Sequence, residues 1–164
     1  MDLWKIGMKN MELKFVEVNH PHLHMLTAEL DDFFVKRYGE ATRKYQKYHD
    51  LTKMAGAAVA YVQEVPVACC CWKAMDAVTA EVKRMYVRPA YREQGIARQL
   101  MEAIEQHAAA SGCHRAVLET GSDMEGAITA YRHLGYQVCD NYGDFVGDSN
   151  VLCMEKEISD GTMR

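Results

Sequence analysis

A chain of 164 residues with a formal net charge of −4 at pH 7 is long enough for one domain with a substantial core and too short to expect two. Its mild acidity gives no global pull towards nucleic acid or an anionic membrane surface, and no apolar run approaches the ~20 residues of a membrane span. The balance of 49% hydrophobic and 26% charged residues is that of a globular protein, not of a disordered or fibrous one. The opening "MDLWKIGMKNMELKF" lacks the apolar centre of a signal peptide. Met8 or Met11 could serve as the start, so residues 1–10 read as an extension, 11–158 as a single domain and 159–164 as a tail.

In chain order, Leu13 to Val18 reads as a first strand. Leu23, Leu26, Leu30, Phe33 and Phe34 recur at helical spacing, with Gly39 placed to stop the helix. His20, His22 and His24 alternate just before it. Pro21 and the helical pattern that follows argue for a polar helix start, and no acidic residue or cysteine nearby completes a metal set. The polar stretch "ATRKYQKYHD", 41–50, has no readable periodicity. Ala57 to Gln63 and Val67 to Ala74 look like a hairpin, and Thr79 to Val87 like a longer strand. Ile96, Leu100, Met101, Ile104 and Ala108 form one face of a helix that ends at Gly112. Ala116 to Glu119 reads as a short buried strand. Ser122 and Glu125 have capping-box spacing, which predicts a helix running to Leu134. Tyr136 to Cys139 and Val151 to Glu157 complete the set as strands. The order βα, βββ, αβαββ predicts a single mixed α/β (α+β) domain. The six cysteines include three in a row, Cys69 to Cys71, and no Cys-x-x-Cys pair. They read as buried thiols of a reducing cytoplasm.

The strand, turn and helix of "VKRMYVRPAYREQGIARQL" carry the chemistry. A helix start offers unpaired N–H groups and a partial positive charge. Gly95 lets an anion approach the backbone, Ala97 keeps the next turn small, and Arg92 adds a cation. These are the parts of a pyrophosphate cradle, although a plain helix start fits the same residues.

"VRPAYREQGIARQLMEAIEQHAAASG" resembles the acetyl-coenzyme A motif of the GNAT superfamily of N-acetyltransferases, Gln/Arg-x-x-Gly-x-Gly/Ala, here Arg92, Gly95 and Ala97. "AITAYRHLGYQV" resembles the superfamily's next motif, a helical tyrosine followed by Leu-Gly-Phe/Tyr. The likeness covers most of Ala57 to Ile158. It implies a mostly antiparallel sheet, splayed between its fourth and fifth strands and flanked by helices. Met85, Tyr86 and Val87 would meet the pantetheine arm and the acetyl group. Arg92, Glu93, Gln94, Gly95, Ile96 and Ala97, with Arg98, would hold the pyrophosphate. Tyr131 matches the leaving-group tyrosine, and a core aromatic is its plain alternative. Glu81, eleven residues before Arg92, stands at the offset of the glutamate base in the histone acetyltransferase branch. Glu119 is the rival carboxylate, and for either residue a salt bridge with Lys83 or Arg84 is the plain alternative. Many members carry an asparagine where this chain has Met124, which puts that coenzyme contact in doubt.

The implied protein is a cytoplasmic N-acetyltransferase that passes the acetyl group of acetyl-coenzyme A directly to a primary amine, with no metal, nucleic acid or membrane partner. A homodimer is left open. The acceptor pocket is expected from the first helix, the 41–50 stretch and the loop around Tyr142 and Phe145. A non-catalytic acyl-coenzyme A sensor and an interaction domain on the same fold are the alternatives.

Overall fold

The computed structural model describes residues 10–159. Most of the expected extension and tail, residues 1–9 and 160–164, lies outside the described residues. The described chain forms one seven-stranded sheet in the order β1-β2-β3-β4-β5-β7-β6, with three α-helices packed on it. The strands are β1 (Met11–Phe15), β2 (Gly56–Val62), β3 (Val65–Ala74), β4 (Thr79–Val87), β5 (Arg115–Gly121), β6 (Gln137–Cys139) and β7 (Val151–Glu157). The helices are α1 (Pro21–Tyr38), α2 (Ile96–Ala110) and α3 (Glu125–His133). The 41–50 stretch belongs to a 3-10 run, Gly39–His49.

All neighbours are antiparallel except β4 and β5, which run parallel. That pair is joined only at Thr79↔Arg115, Ala80↔Ala116 and Glu81↔Val117. Beyond Glu81 the two strands separate, and the sheet opens into a cleft at the place the resemblance implied.

Alternation along β2 to β4 divides the core between the two faces of the sheet. Ala58, Cys70, Trp72 and Val82 pack with Ile96, Leu100, Met101 and Ile104 of α2. Ala57, Val59, Cys69, Cys71 and Tyr86 pack with Leu23, Leu26 and Leu30 of α1. A third cluster, Phe145, Val151 and Cys153 with Tyr45, Tyr48 and Tyr142, lies under the 3-10 run. All six cysteines are free thiols. Burial raises the Cys71 thiol to about 12, so it stays protonated and unreactive.

Two local expectations are corrected. β1 spans residues 11–15, not 13–18, because its register with β2 runs from Met11↔Val62 to Phe15↔Ala58. The helix after β5 has Met124 at its N-cap with no side-chain cap. Ser122 does not form the capping box, because its hydroxyl donates instead to Ser149 O at 2.9 Å. At the start of α1, His20 Nδ1 accepts from His22 N at 3.1 Å. His22 Nδ1 lies 2.8 Å from Tyr61 Oη, and His24 Nε2 lies 3.1 Å from Val18 O.

Candidate active site

Strand β4 sets the site. Its register with β3 steps from Cys69↔Tyr86 to Cys71↔Lys83, so β4 carries one extra residue there. Arg84 within that bulge has φ +59°. The bulge turns Glu81, Lys83 and Arg84 towards the α1 side of the sheet, at the mouth of the cleft. Further along, Arg88 N donates to Val67 O on β3 at 2.9 Å. By strand alternation the Val87 N–H faces the opposite edge, which β5 has left bare. Met85 and Val87 are half-buried along that edge. The Tyr86 side chain points to α1, where its hydroxyl donates to Glu29 Oε1 at 3.1 Å, so only its backbone borders the cleft.

The turn after β4 leads into α2. Glu93 and Gly95 have φ of +64° and +83°, and this alternation orients successive N–H groups as an anion-binding nest. Gly95 is the N-cap of α2, and no side chain caps the first turn. A Cβ at Gly95 would meet nothing within 4 Å. The space before the helix start is therefore open, and its donors suit a pyrophosphate. Ile96 is buried and anchors the turn to the core. Arg98 Nη2 donates to His133 O at 3.1 Å, tying α2 to the end of α3. Arg92 is exposed, with Nε donating to Val87 O at 2.9 Å. Gly95→Glu sets a carboxylate before those donors, and its left-handed backbone adds strain. Acetyl-coenzyme A affinity is expected to fall by about 100-fold or more, an estimate from the loss of several charge-assisted contacts. Calorimetry on the folded variant checks this.

At the other end of the cleft is a buried charge cluster. Lys83 Nζ lies 3.5 Å from Glu81 Oε2 and 3.6 Å from Glu119 Oε1, and its side chain is 2% exposed. It also faces the rings of Tyr48 and Phe145, 5.9 and 5.8 Å from their centroids. Lys83, not Arg84, is thus the cation shared by both carboxylates, and Lys73 Nζ lies 3.8 Å from the other oxygen of Glu81, Oε1. The Glu81 side chain is 4% exposed, and Tyr142 Oη donates to its Oε2 at 2.6 Å. Glu119 is more open, at 19%. Burial, opposed by Lys83 and reinforced by Glu81, raises its pKa above the usual glutamate range.

Tyr131 is half-buried on α3 and packs edge-on to Tyr136, with ring centroids 6.1 Å apart. Its hydroxyl makes no hydrogen bond to another described residue. Burial above all, with Glu119 nearby, pushes its pKa upward, so it remains a proton donor at neutral pH. Met124 reaches Thr120 Oγ1 through its sulfur at 4.0 Å.

The segments expected to form an acceptor pocket do meet. Tyr45 Oη donates to Asp148 Oδ2 at 2.7 Å, Tyr48 Oη to Asp144 Oδ2 at 3.1 Å, and Lys44 Nζ to Asp148 Oδ2 at 3.2 Å. The 3-10 run is thereby strapped to the loop between β6 and β7, over the charge cluster. His49 ends this run and stacks on Phe34, with centroids 6.5 Å apart and planes at 18°. Burial, then the charges of Arg84 and Lys83, lower its pKa to about 3. Its pKa in the unfolded chain is the ordinary ~6.5. The stabilisation is therefore complete above that value and is lost as pH falls towards the folded value. Between about pH 7 and pH 5 this costs on the order of 2 kcal/mol. His49→Phe keeps a ring beside Phe34 and removes the titration. Melting temperature against pH should be flatter over that interval than in the wild type.

The model of the acetyltransferase (GNAT) family matches residues 23–136. The chain belongs to this family. It is 32% identical over 92 residues to the uncharacterized N-acetyltransferase YsnE of Bacillus subtilis (strain 168), a match covering 55% of this chain and 61% of that protein. The chain thus spans less than two thirds of that relative's length. Among solved structures, an acetyltransferase from Streptococcus agalactiae 2603 shares the fold with a TM-score of 0.71 at 21% identity, covering 92% of this chain and 99% of that one. A GNAT family acetyltransferase from Elizabethkingia anophelis, solved with acetyl-CoA bound, has a TM-score of 0.69 at 16% identity, covering 91% and 99%. The match stops at residue 136, before the loop that carries Tyr142 and Phe145.

Proposed function

We propose that the protein is an N-acetyltransferase that moves the acetyl group of acetyl-coenzyme A directly to a primary amine. The observation that carries this reading is the splay of β4 from β5 after Glu81, with the open Gly95 cradle at one end and paired carboxylates at the other. Pyrophosphate would rest on the 92–98 turn. The pantetheine arm would follow the bare edge of β4 past Met85, Tyr86 and Val87. Acetyl-coenzyme A supplies an activated thioester, and the chain's own groups do the remaining work.

An alkylammonium has a pKa near ~10 and must lose a proton before it can attack. Glu119 is the better placed acceptor of that proton, because it is the more open carboxylate and burial raises its basicity. Glu81, covered by Tyr142 and paired with Lys83, holds the negative charge that keeps the lysine in place. This reverses the order suggested by sequence offset alone. The Val87 N–H faces the position where the carbonyl oxygen gains charge during attack. As the amine nitrogen bonds to the carbonyl carbon, the carbon–sulfur bond breaks, and Tyr131 gives its proton to the departing thiolate. A solvent proton then restores the phenol. No cysteine suits an acyl-enzyme route, because burial raises the pKa of all six and only Cys139 is even partly exposed. The six free thiols suit a reducing compartment, which supports a cytoplasmic enzyme.

A panel of primary amines, including free amino acids, polyamines, aminoglycosides and peptides, tests the reading through coupled measurement of free thiol and acetylated product. Acceptor-dependent release with an N-acetyl product is the expected result. Tight acetyl-coenzyme A binding with no turnover on any amine would instead indicate a sensor.

A further inference from the structure

On the α1 side of the bulge, Arg84 has an unusual set of contacts. Its side chain is 3% exposed. Nη2 donates to Thr27 O at 2.9 Å and to Asp31 Oδ1 at 2.7 Å. Nε and Nη1 are buried and have no hydrogen-bond partner, the only such side-chain atoms among the described residues. Folded proteins rarely leave buried donors unmet, and those of a cation least of all. The one carboxylate on this guanidinium, Asp31, is 57% exposed, so it is a partner that can swing into solvent. Lys83 is the adjacent residue in β4, and the charges of both reach His49. Arg84 is also next to the cleft mouth, one residue from the lysine that joins Glu81 and Glu119.

α1 lies over this guanidinium through Thr27 and Asp31. The 3-10 run approaches it through His49, whose pKa the Arg84 charge lowers. That run is held by tyrosine and lysine bonds to Asp144 and Asp148 and by half-buried Tyr45 and Tyr48 on the Phe145 cluster. It has no fully buried residue, so it can open locally while the sheet and its two main clusters stay packed.

We propose that the acceptor is an amine that also carries a carboxylate, an amino acid in the broad sense, and that Arg84 holds the carboxylate while the amine faces Glu119. This rests on the acetyl-transfer reading above. The carboxylate enters beneath the 3-10 run and pairs with one of the unmet donors, Nε or Nη1, together with Nη2, from which Asp31 withdraws. Arg84 is here a residue of acceptor specificity, and the proton transfers remain with Glu119 and Tyr131.

The test compares amino acids with the same amines lacking the carboxylate, using full-length protein and saturating acetyl-coenzyme A. The carboxylate-bearing member of each accepted pair should have a kcat/KM higher by about 10-fold or more, as expected for a charge-assisted contact. Arg84→Lys should raise KM for that acceptor by about 10-fold or more and change kcat much less. Asp31→Asn removes the competing carboxylate and should lower KM, and it keeps the test decisive if the Arg84 variant folds poorly. Binding is read separately from turnover: N-acetyl amino acids with coenzyme A should raise the melting temperature of wild type, and less so that of Arg84→Lys. Equal use of carboxylate-free amines, or an unchanged KM in both variants, overturns the proposal and leaves acetyl transfer standing. No thermal response to any carboxylate ligand together with no turnover of any amino acid also overturns it. Failure of acetyl-coenzyme A itself to bind removes the acetyl-transfer reading, and the proposal with it.

Discussion

Tyr131→Phe is expected to slow acetyl transfer by about 10²–10⁴-fold, the range for loss of a positioned general acid, while acetyl-coenzyme A affinity changes little. The substitution removes one hydroxyl and keeps the ring that packs edge-on to Tyr136. That hydroxyl makes no hydrogen bond to another described residue, so its loss breaks no network in the fold. Its raised pKa keeps it protonated over the working range. The coenzyme thiolate is a moderately good leaving group, so the effect falls at the low end of the range if water can substitute. Single-turnover kinetics with an accepted amine measure the step, and a wild-type rate in the variant would make Tyr131 a core aromatic only.

The second large effect separates the carboxylates. Glu119→Gln is expected to lower kcat/KM by about 100-fold or more near neutral pH, the usual cost of a lost general base. It should also remove the acidic limb of the pH profile. In the wild type that limb should lie above the ordinary glutamate range, because burial raises the Glu119 pKa and the base works only when ionised. Activity of the variant should recover partly at high pH, where the amine arrives neutral. Glu81→Gln should act differently. It leaves Lys83 with one close carboxylate, Glu119, plus the Tyr142 contact weakened, so a loss of melting temperature is expected with the limb still present. Should Glu81→Gln abolish the limb while Glu119→Gln leaves it, the roles are exchanged. These experiments need an identified acceptor and follow the amine panel.

What the sequence could show follows from which forces are local. The β4–α2 unit is legible because it concentrates short-range signals: a β-rich run, a proline turn, a glycine that accepts φ +83°, and apolar residues at helical spacing through Ala108. The splay is legible only by resemblance, since no local pattern says where two parallel strands part. The capping box at Ser122 failed because a distant acceptor, Ser149 O, competes for the same hydroxyl. The 39–49 run was unreadable for a similar reason. It has no apolar stripe, and its order comes from tyrosine and lysine contacts to Asp144 and Asp148 about a hundred residues away in sequence. Lys83 was visible as a partner for either glutamate, but not as the shared buried cation between both. Its parity with Glu81 in β4 was the available signal, and placing Glu119 opposite required the tertiary fold. Arg84 was visible only as a possible partner of the glutamates, because a left-handed arginine inside a strand is set by the bulge and not by its own preference.

The central claim is direct transfer across the β4–β5 cleft, and a single-turnover experiment with intact-mass readout tests it most directly. The protein is loaded with one equivalent of acetyl-coenzyme A and mixed with an amine from the panel, and protein and products are then weighed. The account predicts equal amounts of free coenzyme A and N-acetyl amine, with the protein mass unchanged both before and after the acceptor is added. Acetyl-coenzyme A consumed with the acetyl group left on the protein would contradict it, as would thiol release without an acetylated amine.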